Sequence, residues 1–420
     1  MIKLNNTLKL PINLALGVGA YTTRLYIGSE QIPVDVLIDT GSSTLAIDLK
    51  KYQPEKDQHM NTTVYAQDVV YGNGGWAGPV LNTHIQLDHE DKHALEQAPL
   101  SVTCDEQQQN FQGADGIWGL AYHHLNKAYD VSSYLDQQTP ALPATYPWPF
   151  TVSDDKGGIS GFKSYLQQFP EHDITPLFTA FEANGIVANQ FALLTHRSIE
   201  YVPEANLSQQ DIAGLPENQG TFFIGFSGDH DIPSAGSTRV LHDAYYNTNL
   251  ISIRVDGFKE CPAPPLDDKH LHSFFSNAII DSGSSFVMLQ KKLYDYLHTC
   301  LQTINASFSE LIKQSLTALQ SGEGIFTNEL QLDQWPDVIF TFEGLNGQIT
   351  ELRLSPQTYW QQHAKQANRW LFMIMTQMPQ WPDQTICGLP LMNNYLCVFD
   401  RSELSTGVIH WLIKPVAEKT

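Results

Sequence analysis

Two short segments of the chain could do chemistry together. Positions 36–47 read VLIDTGSSTLAI and positions 278–289 read AIIDSGSSFVML. Each runs apolar residues into an Asp, then a hydroxyl residue, a Gly and two Ser. An apolar strand that ends this way presents a carboxylate, Asp39 or Asp281, at its tip. Gly41 and Gly283 suit a tight turn that brings backbone N–H groups to that carboxylate. The hydroxyls of Thr40, Ser42, Ser282 and Ser284 can fix its orientation. A single such turn is a common way to close a strand. Two copies, 242 positions apart, allow the carboxylates to meet. Face to face they cannot both ionise cheaply, so they would hold one proton between them. The ionised Asp can then take a proton from water while the protonated one polarises a carbonyl. That chemistry is direct attack of water on an amide, with no covalent intermediate, no metal and no cofactor.

The elements that must position these residues are mostly strands. Short apolar or alternating segments at 24–27, 34–38, 222–226, 250–255 and 338–342 are separated by Gly, Pro, Asn and Asp, the pattern of an all-β protein. Helices are expected at 176–184, 291–307 and 356–367, each opening near a Pro or polar start signal. A weaker echo follows each Asp segment, GIWG at 116–119 and TICG at 385–388. The repeat divides the chain into two homologous lobes, 1–228 with the first Asp and 229–420 with the second. Residues 123–174 carry Pro140, Pro143, Pro147 and Pro149 and read as a long surface insertion in the first lobe.

Composition narrows the class. The chain has 420 residues, 42% hydrophobic and only 16% charged, enough for two ordinary cores. Its 45 acidic against 24 basic residues give a formal charge of -21. That charge repels phosphate backbones, which excludes nucleic acid as a partner. No apolar run approaches the roughly 18 residues that cross a bilayer, so no membrane partner is expected. Five scattered Cys (104, 261, 300, 387 and 397) cannot all pair and show no metal-ligand spacing, which reads as free thiols in a reducing compartment. The expected address is therefore cytoplasmic. It would be periplasmic or secreted if the apolar patch at 10–20 belongs to a cleaved signal, although Pro11 and Asn13 make that patch a better first strand.

On these residues the sequence resembles the pepsin family of aspartic peptidases. Besides both Asp segments, VYGNGGWAG at 70–78 resembles the family's flap hairpin, with Tyr71 at the flap tyrosine. ADGIWGLAY at 114–122, TPLF at 175–178, WPDVIFTF at 335–342, LSPQTY at 354–359 and VFDR at 398–401 resemble further family segments in the same order. The resemblance implies an all-β, bilobal, double-psi β-barrel fold with a flap over a central cleft. It implies an endopeptidase with an acidic optimum that prefers hydrophobic residues beside the scissile bond and is blocked by pepstatin-type inhibitors. Asp39 and Asp281 would be the catalytic pair, with Ser42 and Ser284 bonded to their outer oxygens. Tyr71, Gly72 and Asn73 would close over a peptide or protein substrate, and Ile117, Gly283 and Ser284 would line the cleft. Two copies in one chain make a monomer sufficient.

Four features depart from the family pattern. Ala46 stands where a Trp usually bonds the flap tyrosine, so the hairpin must be held differently. Ala114 stands where a bulky aromatic often flanks the main specificity pocket. The family's disulfides are missing, and only 38 residues precede Asp39, too few for the usual pro-segment. These features point to the bacterial, shewasin-like branch, made without signal peptide or pro-segment. A Ser284 hydroxyl beside Asp281 would keep the pair acidic and activity poor at neutral pH. The competing reading is a catalytically silent pepsin-like binding protein, but such proteins usually lose a catalytic Asp or its Gly, and all four are present. No HExxH ligand set supports a metallohydrolase.

Overall fold

The computed structural model describes residues 7–14, 19–70, 74–107, 111, 113–153, 156–204, 206–226, 232–265, 275–327, 330–379 and 381–414. The protein is mostly β, with 39% strand and 22% helix. It divides into two compact units, Thr22–Ala188 and Met1–Tyr21 with Asn189–Thr420. The division therefore falls at 188/189, not at 228/229, and residues 7–14 and 19–21 join the C-terminal unit. Ladder pairing is the reason. Leu8–Leu14 pairs with Gln219–Ile224, which pairs with Gln190–Leu194, which pairs with Tyr395–Asp400.

The unit Thr22–Ala188 is built on a closed barrel of six strands. Tyr21–Ile27 pairs antiparallel with Ile32–Asp39, which pairs parallel with Gly116–Gly119. Leu45–Asp48 lies between Gly116–Gly119 (antiparallel) and Ala94–Thr103 (parallel). Ala94–Thr103 pairs with Gly75–Gln86, and Ile27 opposite Ile85 closes the ring. Strands buried on both faces read as continuous apolar runs rather than alternation, and Val36, Leu37 and Ile38 are all buried. Gly75–Gln86 also pairs with Asn61–Val70 to form a long hairpin. Its tip, with Tyr71, Gly72 and Asn73, lies outside the described residues.

The segment expected as a surface insertion folds back onto this hairpin. Lys127–Asp130 pairs with Asn61–Val70 on one side and Glu171–Asp173 on the other. The helix Gly158–Leu166 packs Ile159, Phe162 and Leu166 against Ala66, Ala77 and Tyr129, with Trp148, Phe150 and Val152 around them. The insertion thus has a small core of its own, shared with the hairpin.

In the other unit an antiparallel sheet runs from Leu8–Leu14 through Gln219–Ile224, Gln190–Leu194, Tyr395–Asp400 and Val408–Ile413 to Ser234–Arg239. A second sheet has the order Asn247–Thr248, Ala278–Ile280, Thr385–Cys387, Val287–Leu289, Ile374–Thr376. The helix expected at 291–307 is Lys291–Ile304. It buries Leu293, Leu297, Cys300 and Leu301 on one stripe. A second helix, Ala306–Gln320, follows at once because Asn305 is extended and its side chain accepts the Ser307 N–H as an N-cap. The helix expected at 356–367 is only Pro356–Tyr359. Trp360 continues as a strand and packs with Trp335 and Phe372 instead. No described helix is long and apolar enough to cross a membrane.

All five cysteines are free. Burial pushes the Cys104 thiol up to about 12 and raises those of Cys300, Cys387 and Cys397 as well. Thiolate is the reactive form, so the folded protein at about pH 8 should react with a thiol reagent chiefly at half-exposed Cys261. Cys261→Ser should remove the fast phase, and the denatured chain should show five thiols without reductant. A second fast thiol in the folded variant would contradict this.

Candidate active site

Asp39 is the last residue of Ile32–Asp39 and is 7% exposed. A carboxylate at that depth needs donors, and the turn supplies them. The Gly41 N–H donates to Asp39 Oδ1 at 2.7 Å and the Ser42 hydroxyl to Oδ2 at 2.5 Å. The Ser43 hydroxyl bonds the Tyr122 carbonyl at 2.6 Å and pins the turn to the next loop. Thr40 is fully buried, and Ile117 is a buried strand residue opposite Leu37 and Ala46.

Asp281 follows Ala278–Ile280 in the same way within the other unit. The Gly283 N–H donates to Asp281 Oδ1 at 2.8 Å. The Ser285 hydroxyl bonds the Gly19 carbonyl at 2.7 Å, the counterpart of Ser43. Ser282 is buried. Ser284 departs from expectation. Its hydroxyl donates to the Phe286 carbonyl at 2.9 Å. With the hydroxyl committed to that carbonyl, Ser284 lends no support to an acidic pair.

The strand arrangement around each turn is the same. Val36–Asp39 runs parallel to Gly116–Gly119, and Ala278–Ile280 runs parallel to Thr385–Cys387. The strand after each turn, Leu45–Asp48 or Val287–Leu289, lies antiparallel to that partner and parallel to a further strand. The weaker echoes GIWG and TICG are these partner strands. Each ends on a glycine against which the turn is laid. A Cβ at Gly119 would sit 2.4 Å from Ser43 N and 2.5 Å from Ser42 C, and one at Gly388 would sit 2.2 Å from the Phe286 oxygen.

A buried polar network, which no sequence signal announced, ties the first turn to the hairpin. The Gln67 side-chain amide donates to Asn126 Oδ1 and to the Lys127 carbonyl, both at 2.8 Å. Thr44, two residues beyond Ser42, donates to the same Asn126 oxygen at 2.9 Å, and Ser101 donates to Gln67 Oε1 at 2.5 Å. Ala46 is fully buried in the barrel, and the network joins the turn to the hairpin arm at Gln67. Trp76 is likewise fully buried and packs inside the unit.

One possible metal cluster within a single unit, Asp400, Glu403 and His410, has ligand atoms within 4.8 Å of one another. Asp400 already accepts from Gln190, Ser402 and Glu403, and Glu403 pairs with His410. These bonds close the turn between Tyr395–Asp400 and Val408–Ile413.

Comparison with models of known protein families gives no match, and no curated protein matches the chain in sequence.

The close approach of each turn to its glycine makes a prediction. Gly119→Ala and Gly388→Ala should each lower stability by about 1–3 kcal/mol or more, because backbone must shift to admit the methyl group. Gly214→Ala, with nothing within 4 Å of its Cβ, should be neutral or slightly stabilising. Urea unfolding midpoints decide it, and a neutral Gly119→Ala would show that the turn is not held against that strand.

Proposed function

We propose that this protein is an aspartic endopeptidase of pepsin type, using Asp39 and Asp281 on one water molecule. The observation that supports it most is the duplication: the same three-strand arrangement, with an Asp–hydroxyl–Gly–Ser turn at the same place, occurs once in each unit. A turn that merely closed a strand would have no reason to recur with its glycine-backed partner strand intact.

In the proposed reaction the two turns face each other and hold one proton between the carboxyls. The Asp that is ionised takes a proton from water as the water attacks the scissile carbonyl. The other Asp gives its proton to the carbonyl oxygen, and a proton then passes to the leaving amine. Gly41 and Gly283 fix the Oδ1 atoms from the backbone, and Ser42 fixes Asp39 Oδ2. These bonds keep the carboxylates oriented without waiting for substrate. An acid optimum follows from the need for that shared proton. Hydrophobic residues flanking the scissile bond are the expected preference. A silent binding protein of the same fold is the second reading, and the retention of both Asp-x-Gly turns is what weighs against it.

The test is cleavage of an unfolded protein at about pH 4. Asp39→Asn and Asp281→Asn should each lower kcat/KM on the order of 10³-fold or more, as removal of an essential member of a catalytic unit does, with the circular dichroism spectrum unchanged. Full activity in either variant would exclude this mechanism, and an inert wild-type protein would favour the binding reading.

A further inference from the structure

Asp68 is a buried carboxyl for which the proposed reaction has no use. It lies on Asn61–Val70, is 6% exposed, and neither of its oxygens has a hydrogen-bond partner among the described residues. Ladder register puts it on one face with Val64 and Ala66 of its own strand and with Ala77 directly opposite. Tyr129, opposite Ala66, extends the same face. This face is the floor of the insertion's core. Gly158–Leu166 lays Ile159 and Phe162 on it, and Trp148, Phe150 and Val152 pack around them. Ile159 reaches to within about 3.0 Å of where a Cβ on Gly75 would stand, so the helix covers the hairpin arms close to their far end.

The charged and titratable groups around Asp68 leave it unmatched. From the helix, Lys163 exerts the one attraction on it, but no ion pair forms between them among the described residues. Tyr165, also on the helix, packs with Phe150, Phe162 and Phe169. On the neighbouring strand, Tyr129 feels the Asp68 charge as a further obstacle to its own ionisation. Lys127 of that strand is taken by Glu171 and Asp173, and Asp130 by Ser132. Across the hairpin, Asp105 pairs with Ala77 and accepts the Trp148 indole N–H at 2.7 Å. An ionised carboxylate in this apolar floor has no compensating donor.

We propose that Asp68 is a proton-operated latch: its neutral carboxyl lets the 127–173 segment seat on the hairpin arms, and its ionisation loosens that segment. Burial pushes the Asp68 carboxyl up to about 7 from its ordinary 3.8. A group raised in the folded state holds its proton more tightly there. Its support for the packed state is complete below about pH 4 and is lost as pH rises to about 7. The latch would be shut in the acidic range where the proposed peptidase works. That link rests on the proposed function, whereas the latch itself does not.

Hydrogen exchange tests it on the whole chain without any substrate. Protection of the amides at 61–69, 127–130 and 158–166, corrected for intrinsic rate, should fall roughly tenfold or more between about pH 5 and pH 8, since each pH unit between the two titrations carries a factor of ten. Asp68→Asn, which cannot ionise, should keep its protection within about threefold across that range by the same linkage. Lys163→Met removes its attraction for the carboxylate and should enlarge the loss. A flat profile in the wild-type protein, the same loss in Asp68→Asn, or no change in Lys163→Met would overturn the latch. A chain that cleaves nothing yet shows this transition would overturn the proposed reaction alone.

Discussion

Each candidate carboxylate is held by a turn that must pass against a strand with no side chain in the way. Gly119 and Gly388 give that clearance, and Gly41 and Gly283 give the backbone N–H that reaches the carboxylate. The constraint is steric before it is chemical. With a methyl group at either backing glycine the turn would lift, and the donors that hold buried Asp39 and half-buried Asp281 would lift with it. The parallel pairing of Val36–Asp39 with Gly116–Gly119, and of its counterpart in the second unit, exists to bring strand end and glycine together.

From that constraint the rest of the first unit follows. The turn is pinned by Ser43 to Tyr122, and through Thr44 to Asn126 and Gln67. Gln67 points to the barrel side of Asn61–Val70, while its neighbour Asp68 points to the insertion. One strand therefore carries a satisfied polar network on one face and an unsatisfied carboxyl on the other. The first face carries hydrogen-bonded groups, Gln67, Thr44, Asn126 and Ser101, that need no proton to be satisfied. The second depends on a proton, which makes it the part of the unit whose packing answers to pH.

Much of this was legible in the residues. The pair of Asp-x-Gly-Ser-Ser segments and their echoes placed both turns and both partner strands, because apolar runs buried on two faces have a plain signature. The helix at 306–320 was missed although Asn305 is a good cap and Phe308 and Ile312 have helical spacing. The helix expected at 291–307 overlaps its first two residues and hides the break at Asn305. The boundary at 188/189 depends on which strands pair over long sequence separations, which local pattern does not encode. The direction of the Ser284 hydroxyl was not legible either, since a hydroxyl can rotate to any acceptor within reach and the folded turn supplies the Phe286 carbonyl. Asp68 belongs to no motif that would single it out in the sequence. Only the folding back of a Pro-rich segment, whose aromatics follow no period, buries it.

The account stands on both turns serving one site. Calorimetric titration with pepstatin tests this most directly. The account predicts one inhibitor bound per chain, with binding weakened on the order of 100-fold or more by Asp39→Asn and equally by Asp281→Asn, since each removes a polar partner that the bound inhibitor would leave unpaired. Undiminished binding in either variant would mean that its carboxylate lies elsewhere, and the shared site would be refuted.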